Sequence, residues 1–489
     1  MWLTAPNALA ACSGSGVTWS CTAGTTVAQV NTALASAASG ATLTFAAGSY
    51  TWGGAIGFSN TKGVTLICES AGSCAVASSG MAMGLQGTLS GTNTNLYRIS
   101  GFVFSGGETG MIWFYGSGSP TLTRFRIDHN TFQNQTTESS IILFGDNGSC
   151  NAIYGLLDNN IVTNSGSIAI AEGYTSASCT PTTGQRGTAN NIYFENNTIT
   201  VATMTNAGKG CVDWQGGHAW VWRYNTTTNC LVTSHGVTHG WGPVNGELYG
   251  NTFIATSGMD PNHQDGYRFF HHQGSGLFLA WGNILRPLSG SGDHAMISMM
   301  HYRSTGSGSG YAMCDGTVSI DGNRTPTATY KGYPCYRQPG RDTAATLHPL
   351  YSWLNRRSDG GLVNITCEAF GETCTKHIVA NRDLYSAVSA NAQTSTSSPF
   401  NGTTGMGYGT LANRPTTCTT GPEAADAGKG GVGYWATDDG EWDDTRAGPD
   451  GRLYRCSATN TWIVGYTPYR YPHPLRSAPA RPTGLRIVR

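Results

Sequence analysis

Charge is scarce in this chain. Its 489 residues carry 28 Lys plus Arg and 28 Asp plus Glu, 11% charged with a formal net charge of zero; a typical soluble protein has about 25%. Non-specific nucleic-acid binding needs a basic face, so no nucleic-acid partner is expected. Long apolar runs are also missing. No stretch approaches the ~20 residues a membrane-spanning helix requires, and no membrane insertion is expected. No C-x-x-C pair points to zinc or redox chemistry. The opening MWLTAPNALAACSGSG has neither the basic region nor the hydrophobic run of a signal peptide, and reads as a mature N-terminus.

What is present suits an extended β protein. Gly numbers 67, while 39% hydrophobic and 10% aromatic residues suffice for a large core. There are 14 cysteines, an even number. Pairing them in chain order gives Cys12–Cys21, Cys68–Cys74, Cys150–Cys179, Cys211–Cys230, Cys314–Cys335, Cys367–Cys374 and Cys418–Cys456, mostly short loops suited to stapling local turns. Sequence leaves other connectivities open. Disulfides imply an oxidising compartment, so a secreted or extracellular site is expected, with periplasm or cell surface as variants.

Internal repeats decide the architecture. A short strand ending in Asn recurs as RIDHNTFQN (126–134), GLLDNNIVTN (155–164), IYFENNTIT (192–200), VWRYNTTTN (221–229), ELYGNTFI (247–254), FLAWGNIL (278–285) and VSIDGNRT (318–325). The key residues are Asn130, Asn160, Asn197, Asn225, Asn251, Asn283 and Asn323. Their irregular spacing excludes a helical-repeat array and fits coils of a β-solenoid whose loops vary in length. Alternation turns Ile127, Leu157, Phe194, Trp222, Leu248, Ala280 and Ile320 inward, and Asp128, Asp158, Glu195, Arg223, Tyr249, Trp281 and Asp321 outward. Each Asn falls at a bend, where its amide could bond the Asn of the next coil and hold register. Residues 25–38 read as an amphipathic helix with Thr25 as N-cap, placed to plug the open end of the solenoid. The fold expected is all-β, a single parallel β-helix over 41–355, with an N-terminal helical cap over 1–40. An irregular disulfide-stapled C-terminal wrap is expected over 356–489.

In these features the chain resembles the secreted right-handed parallel β-helix proteins of the pectate lyase-like superfamily. The resemblance spans most of the chain. It rests on the cap helix before GATLTFAAGSYTW, on KGVTLI at 62–67 and on the Asn-ending strands. GYPCYRQPGRD (332–342), PLYSWLN (349–355) and the PYRYPHPLR tail resemble a bacterial or environmental subgroup. The resemblance implies a right-handed coil and polysaccharide as the dominant ligand class. The architecture also hosts hydrolases, epimerases, tailspikes and adhesins, so activity must be argued from the site.

Eight of the 12 histidines fall within 218–301. Stacking of like side chains along a solenoid could produce this without function. The strands that precede the Asn-ending strands suggest more. Aligning their terminal polar residues places Glu172, Gln215, His235, His272 and His301 in one row, with Asp213, His271 and Arg303 within one or two positions. Coils ~4.8 Å apart make such a row about 20 Å long, the length of a few sugar residues. Trp214, Gln215, Arg268 and Tyr302 are the expected substrate contacts. β-Elimination on a uronate needs its carboxylate neutralised, a base for the proton alpha to it, and an acid for the leaving oxygen. His235 or His272 could serve as base, with Arg303, Arg268 or Arg223 at the carboxylate. The hydrolytic alternative needs paired carboxylates, for which Asp213, Glu172 and Asp265 are the candidates. The Asp-Asp and Gly-His-Gly signatures of β-helix polygalacturonases are missing, as is a clear pectate lyase arginine signature.

The outward carboxylates Asp128, Asp158 and Glu195 stack on consecutive coils and meet Arg223. Such a row needs a cation or an arginine, and its oxygens would suit Ca²⁺; alternatively it is a solvated face neutralised in part by Arg126 and Arg223. The histidines could instead converge on a transition metal. The acidic loop at Asp438, Asp439, Glu441, Asp443 and Asp444 reads as solvated. The functional expectation is a secreted polysaccharide-active protein, a lyase on an acidic polysaccharide. Its alternatives are a non-catalytic adhesin, fibre subunit or glycan-binding scaffold, and a glycoside hydrolase. Nothing in the sequence sets the oligomeric state.

Overall fold

The computed structural model describes residues 11–58, 62–78, 82–85, 92–93, 95–106, 112–114, 121–133, 142–144, 152–163, 169–171, 186–201, 212–215, 219–235, 245–257, 269–273, 277–287, 297–300, 339–340, 347–363, 365–368, 378–387, 399–421 and 430–477. These form a parallel β-solenoid with three long sheets and a small fourth. The first sheet stacks strands such as Thr121–Asp128, Ala152–Asp158, Ile192–Glu195, Ala219–Arg223, Asn245–Tyr249, Leu277–Trp281 and Leu350–Trp353. The second takes the short strands just after each bend, such as Thr198–Thr200 and Thr226–Thr228. The third holds Ile112–Phe114, Ile142–Phe144, Ala169–Ala171, Val212–Gln215, Val232–His235, Phe270–Gln273, Ile297–Met300 and Ile365–Glu368. First-sheet pairing continues beyond residue 355, where the sequence motif fades, to Leu384–Ser386.

The inward positions are buried as the alternation requires. Ile127, Leu157, Phe194, Trp222, Leu248 and Ala280 form part of one core with Phe104, Phe132, Phe270 and Phe278. At each bend the residue before the Asn is left-handed: His129, Asn159, Asn196, Tyr224, Gly250, Gly282 and Leu354 have φ between 54° and 67°. Gly250 is required there, because a Cβ would lie 2.6 Å from the Tyr224 ring. The following Asn side chains bond coil to coil. Asn225 Oδ1 accepts from the Asn197 backbone N–H and from Asn197 Nδ2, both at 2.9 Å. The Asn225 Nδ2 in turn donates to Phe194 O and to Asn251 Oδ1. The same pattern joins Asn130, Asn160, Asn197, Asn225, Asn251 and Asn283. After Asn283 the partner is Asn355, 72 residues on, at 2.8 Å. Asn323, taken from sequence as the next key residue, lies outside the described residues.

An antiparallel hairpin, Cys12–Ser15 with Thr18–Cys21, edges the first sheet, and a helix, Val27–Ser36, closes that end with Val30, Ala33 and Leu34 buried. Its N-cap is Thr26, not Thr25, with a capping box to Gln29. Thr25 instead holds the approach to the helix: its hydroxyl donates to Thr22 O and its carbonyl accepts from Trp52 Nε1. Disulfides join Cys12–Cys21, Cys68–Cys74 and Cys418–Cys456. Cys230 is also disulfide-bonded. Cys150, Cys179, Cys211, Cys314, Cys335 and Cys374 lie outside them, as does the side chain of Cys367 on its strand.

The C-terminal wrap is more regular than expected. Met406–Gly409, Gly433–Ala436, Arg452–Ala458 and Thr461–Tyr466 form the fourth sheet. Trp435 of this sheet packs on Trp281 and Trp353, which stack on the outer face of the first sheet with Tyr249. Residues 466–477 then run as a strap over earlier coils of the same face.

Candidate functional site

The third sheet carries the expected site row, and its register revises that row. Gln215 pairs with His235, as the sequence alignment has it. His272 is one residue out of line: it pairs with Ser234, itself opposite Trp214. Continuing along the ladder, this position leads through Ala171 and Phe144 to the buried Phe114. His271 pairs with Thr233, which pairs with Asp213, so Asp213, Thr233 and His271 share a row. That row alternates with the core row of Ile112, Ile142, Val232 and Phe270. Two rows therefore flank the Trp214–His272 position, one with Asp213, the buried Thr233 and His271, and the other with Gln215 and His235. With coils ~4.8 Å apart, Asp213 and His271 stand about 10 Å apart along the axis. Glu172, Arg268, His301, Tyr302 and Arg303 lie outside the described residues. Asp265 does too.

Arg223 is not beside this row. It sits on the first sheet with its side chain fully buried. Its Nη2 donates to Glu195 Oε2 at 2.6 Å, its Nη1 to Tyr249 Oη at 2.9 Å and Tyr469 O at 2.7 Å, and Nη2 also reaches Arg470 O. A guanidinium with these partners under the strap has no free N–H edge for a uronate, and its expected catalytic role at the substrate carboxylate is corrected accordingly.

The carboxylate row is likewise neither solvated nor a Ca²⁺ cage. Asp128, Asp158 and Glu195 are each 0% exposed. Arg98 Nε and Nη2 grip both oxygens of Asp128 at 2.7 and 2.6 Å. Arg126 grips Asp158 at 2.8 Å through each contact. Arg476, from the strap, donates to Glu195 Oε1 at 2.8 Å. Guanidinium groups occupy the oxygens a cation would need, and among the described residues no group of His, Cys, Asp and Glu could hold a metal ion. Bidentate pairing of this kind is the strong form of a charge-assisted bond. Burial pushes the Asp128 carboxyl up, but the bonds from Arg98 and His129 and the charge of Arg126 outweigh it and hold it well below the usual carboxylate range. At Asp158 burial prevails over Arg126, and the carboxyl is raised.

Sequence reading missed the partners that close this face. Arg98 occupies in YRIS the position Arg126 occupies in FRID, one coil later. The signal was there, but that coil lacks the Asn. The strap gives no repeat signal. Its His473 is buried against Tyr193 and Tyr469, its N–H reaches Glu195, and its Nδ1 accepts from the Leu475 N–H. Burial, then the charges of Arg223 and Arg126, push its imidazole well below its ordinary value. The acidic loop is divided: Asp438, Glu441 and Asp444 are exposed, as expected, while Asp439 bonds Arg452 and Tyr454 and buried Asp443 bonds Thr445.

No family model matches the chain. No curated protein matches it. Among solved structures it is similar to a PL6 family polysaccharide lyase from Pseudopedobacter saltans, at 12% identity, covering 74% of this chain and 94% of that one, with a TM-score of 0.36. A likeness of that size carries no argument about activity, which rests on this chain's own residues. No helix among the described residues is long and apolar enough to cross a membrane.

Proposed function

We propose that the protein acts on an extracellular polysaccharide by β-elimination, along the third-sheet rows that carry Asp213 with His271 and Gln215 with His235. One observation carries this reading: the register sets Asp213, His235 and His271 on these rows over three successive coils, whereas the outer face of the first sheet is covered by the strap and the fourth sheet. An extended chain lying along the solenoid axis would meet all three. An imidazole with an ordinary pKa of ~6.5 can take a proton near neutral pH. In this reading His271 or His235 is the base for the proton alpha to the uronate carboxyl, and Asp213, one coil from His235 and two from His271, polarises the base only where that base is His235. Arg268 and Arg303, near in sequence to the ends of Phe270–Gln273 and Ile297–Met300, are proposed to neutralise the carboxylate. Gln215 and Tyr302 are proposed substrate contacts, and Glu172, next after Ala171, is proposed to extend the Gln215–His235 row at one end; Trp214 shares the His272 position, and Met300 rather than His301 pairs with Gln273, so neither is carried into the proposed site. His272 is assigned a packing role by its register position. The disulfides, which an oxidising compartment sustains, support a secreted protein.

A panel of uronic-acid polysaccharides, followed by ultraviolet absorbance of the unsaturated product, tests the reading. Activity on one of them supports it. Retention of a polysaccharide without turnover on any would favour the binding scaffold, and new reducing ends without unsaturation would favour the hydrolase.

A further inference from the structure

Two guanidinium groups in the seam between the first and fourth sheets lack a bonded counter-charge. Arg186 opens the turn that leads into Ile192–Glu195, and its Nε and Nη2 are buried without a hydrogen-bond partner. Arg455, on Arg452–Ala458, has its Nη1 in the same condition. The two lie within electrostatic reach of each other and of Tyr351, and Arg186 also within reach of Glu247 and Tyr466.

The seam around them is tightly built. Glu247 Oε1 accepts from the Gly187 N–H and from Asn245 Nδ2, each at 2.9 Å, and Oε2 accepts from Tyr466 Oη at 2.5 Å. Asn245 Nδ2 also donates to Asn191 Oδ1. Gly187 has φ 64°, and a Cβ there would lie 1.9 Å from Thr467 O, so the chain passes where no larger residue fits. The Glu247 oxygens are thus satisfied by neutral donors, and neither arginine is bonded to them.

We propose that this seam binds one small monovalent anion of halide size, held by the unpartnered N–H groups of Arg186 and Arg455. Two guanidinium groups against one carboxylate leave one positive charge to balance. Buried donors are almost always bonded in folded proteins, because an unpaired one forfeits its hydration without return. Deprotonation does not resolve the imbalance: burial lowers the Arg186 guanidinium only to about 10, so it stays charged at neutral pH. Asn245 Oδ1 is unpartnered as well, but as an acceptor it belongs with a water rather than the anion.

Bromide is the probe. In crystals of the full chain grown in bromide, an anomalous peak within hydrogen-bond distance of Arg186 and Arg455 is expected. In parallel, titrating bromide into a gluconate buffer at constant ionic strength should raise the thermal midpoint saturably, by roughly 2 °C. Arg455→Met, which removes one donor without touching the Glu247 bonds, should abolish that rise while remaining folded by circular dichroism. Water-like density without an anomalous peak would overturn the proposal. So would a midpoint whose bromide dependence is the same in wild type and Arg455→Met. Should Arg186→Met fail to fold, the peak and the Arg455→Met titration still decide.

Discussion

Arg223 Nη2 lies 2.6 Å from Glu195 Oε2 with both side chains 0% exposed, and the same guanidinium holds the carbonyls of Tyr469 and Arg470 in the strap. One side chain therefore joins two coils and fastens the C-terminal segment over them. Breaking a buried pair strands the remaining charge, so Arg223→Met should cost about 3–5 kcal/mol in urea unfolding. Arg223→Lys should recover only part of that, since three ammonium donors on one point cannot replace five planar N–H groups that meet Glu195 twice, Tyr249 Oη, Tyr469 O and Arg470 O. Per folded molecule, the turnover of Arg223→Met on a substrate should match wild type, because the residue is remote from the third-sheet rows.

The strap also makes stability depend on acid. The His473 imidazole has a folded pKa well below its unfolded value of ~6.5, so below about that pH the unfolded chain binds the extra proton and stability falls, by up to about 1.4 kcal/mol per pH unit. Asp158 and Glu247, raised by burial, act in the opposite direction as they protonate. Asp128, depressed, keeps its contribution down to its unfolded value of ~3.9 and loses it below. His473→Asn retains an acceptor for the Leu475 N–H and removes only the imidazole's titration. Its urea midpoint should therefore fall less steeply than that of wild type between about pH 6.5 and 4.5. Parallel pH profiles for the two proteins would contradict the assignment.

Register along the bends depends on amides that serve four bonds each. Asn251 accepts from the Asn225 N–H and Nδ2, and donates to Trp222 O and Asn283 Oδ1. Asn251→Leu fills similar space but leaves these partners unmet in a buried site. A loss of about 2–5 kcal/mol in chemical denaturation is expected, from two or more orphaned groups at about 1–3 kcal/mol each.

The repeat made the solenoid legible because inward positions such as Ile127, Phe194 and Trp222 obey a local rule, strict alternation. The fate of the outward row was not legible. Asp158 and Glu195 point away from the core, yet the strap, more than 250 residues later in the chain, meets both through Arg476, and no local pattern encodes that contact. The site row failed for a related reason. His235 follows Val232 by three residues and His272 follows Phe270 by two, and only the observed pairing of Val232 with Phe270 shows that His271, not His272, shares the Asp213 row. A slip of one residue exchanges the faces of a strand.

That exchange separates two neighbouring histidines by experiment. His272→Ala should lower stability, by about 1–3 kcal/mol, because its position continues the row of buried Phe114. His271→Ala should leave the thermal midpoint within about 2 °C of wild type.

The most direct test is the initial rate of unsaturated-product formation on the responsive uronic-acid polysaccharide, measured for wild type, His271→Ala, His235→Ala and His272→Ala at equal folded concentration. The account predicts a loss of at least about 10²-fold for His271→Ala or His235→Ala, with His272→Ala close to wild type. Full activity in both His271→Ala and His235→Ala, or its loss in His272→Ala alone, would contradict it.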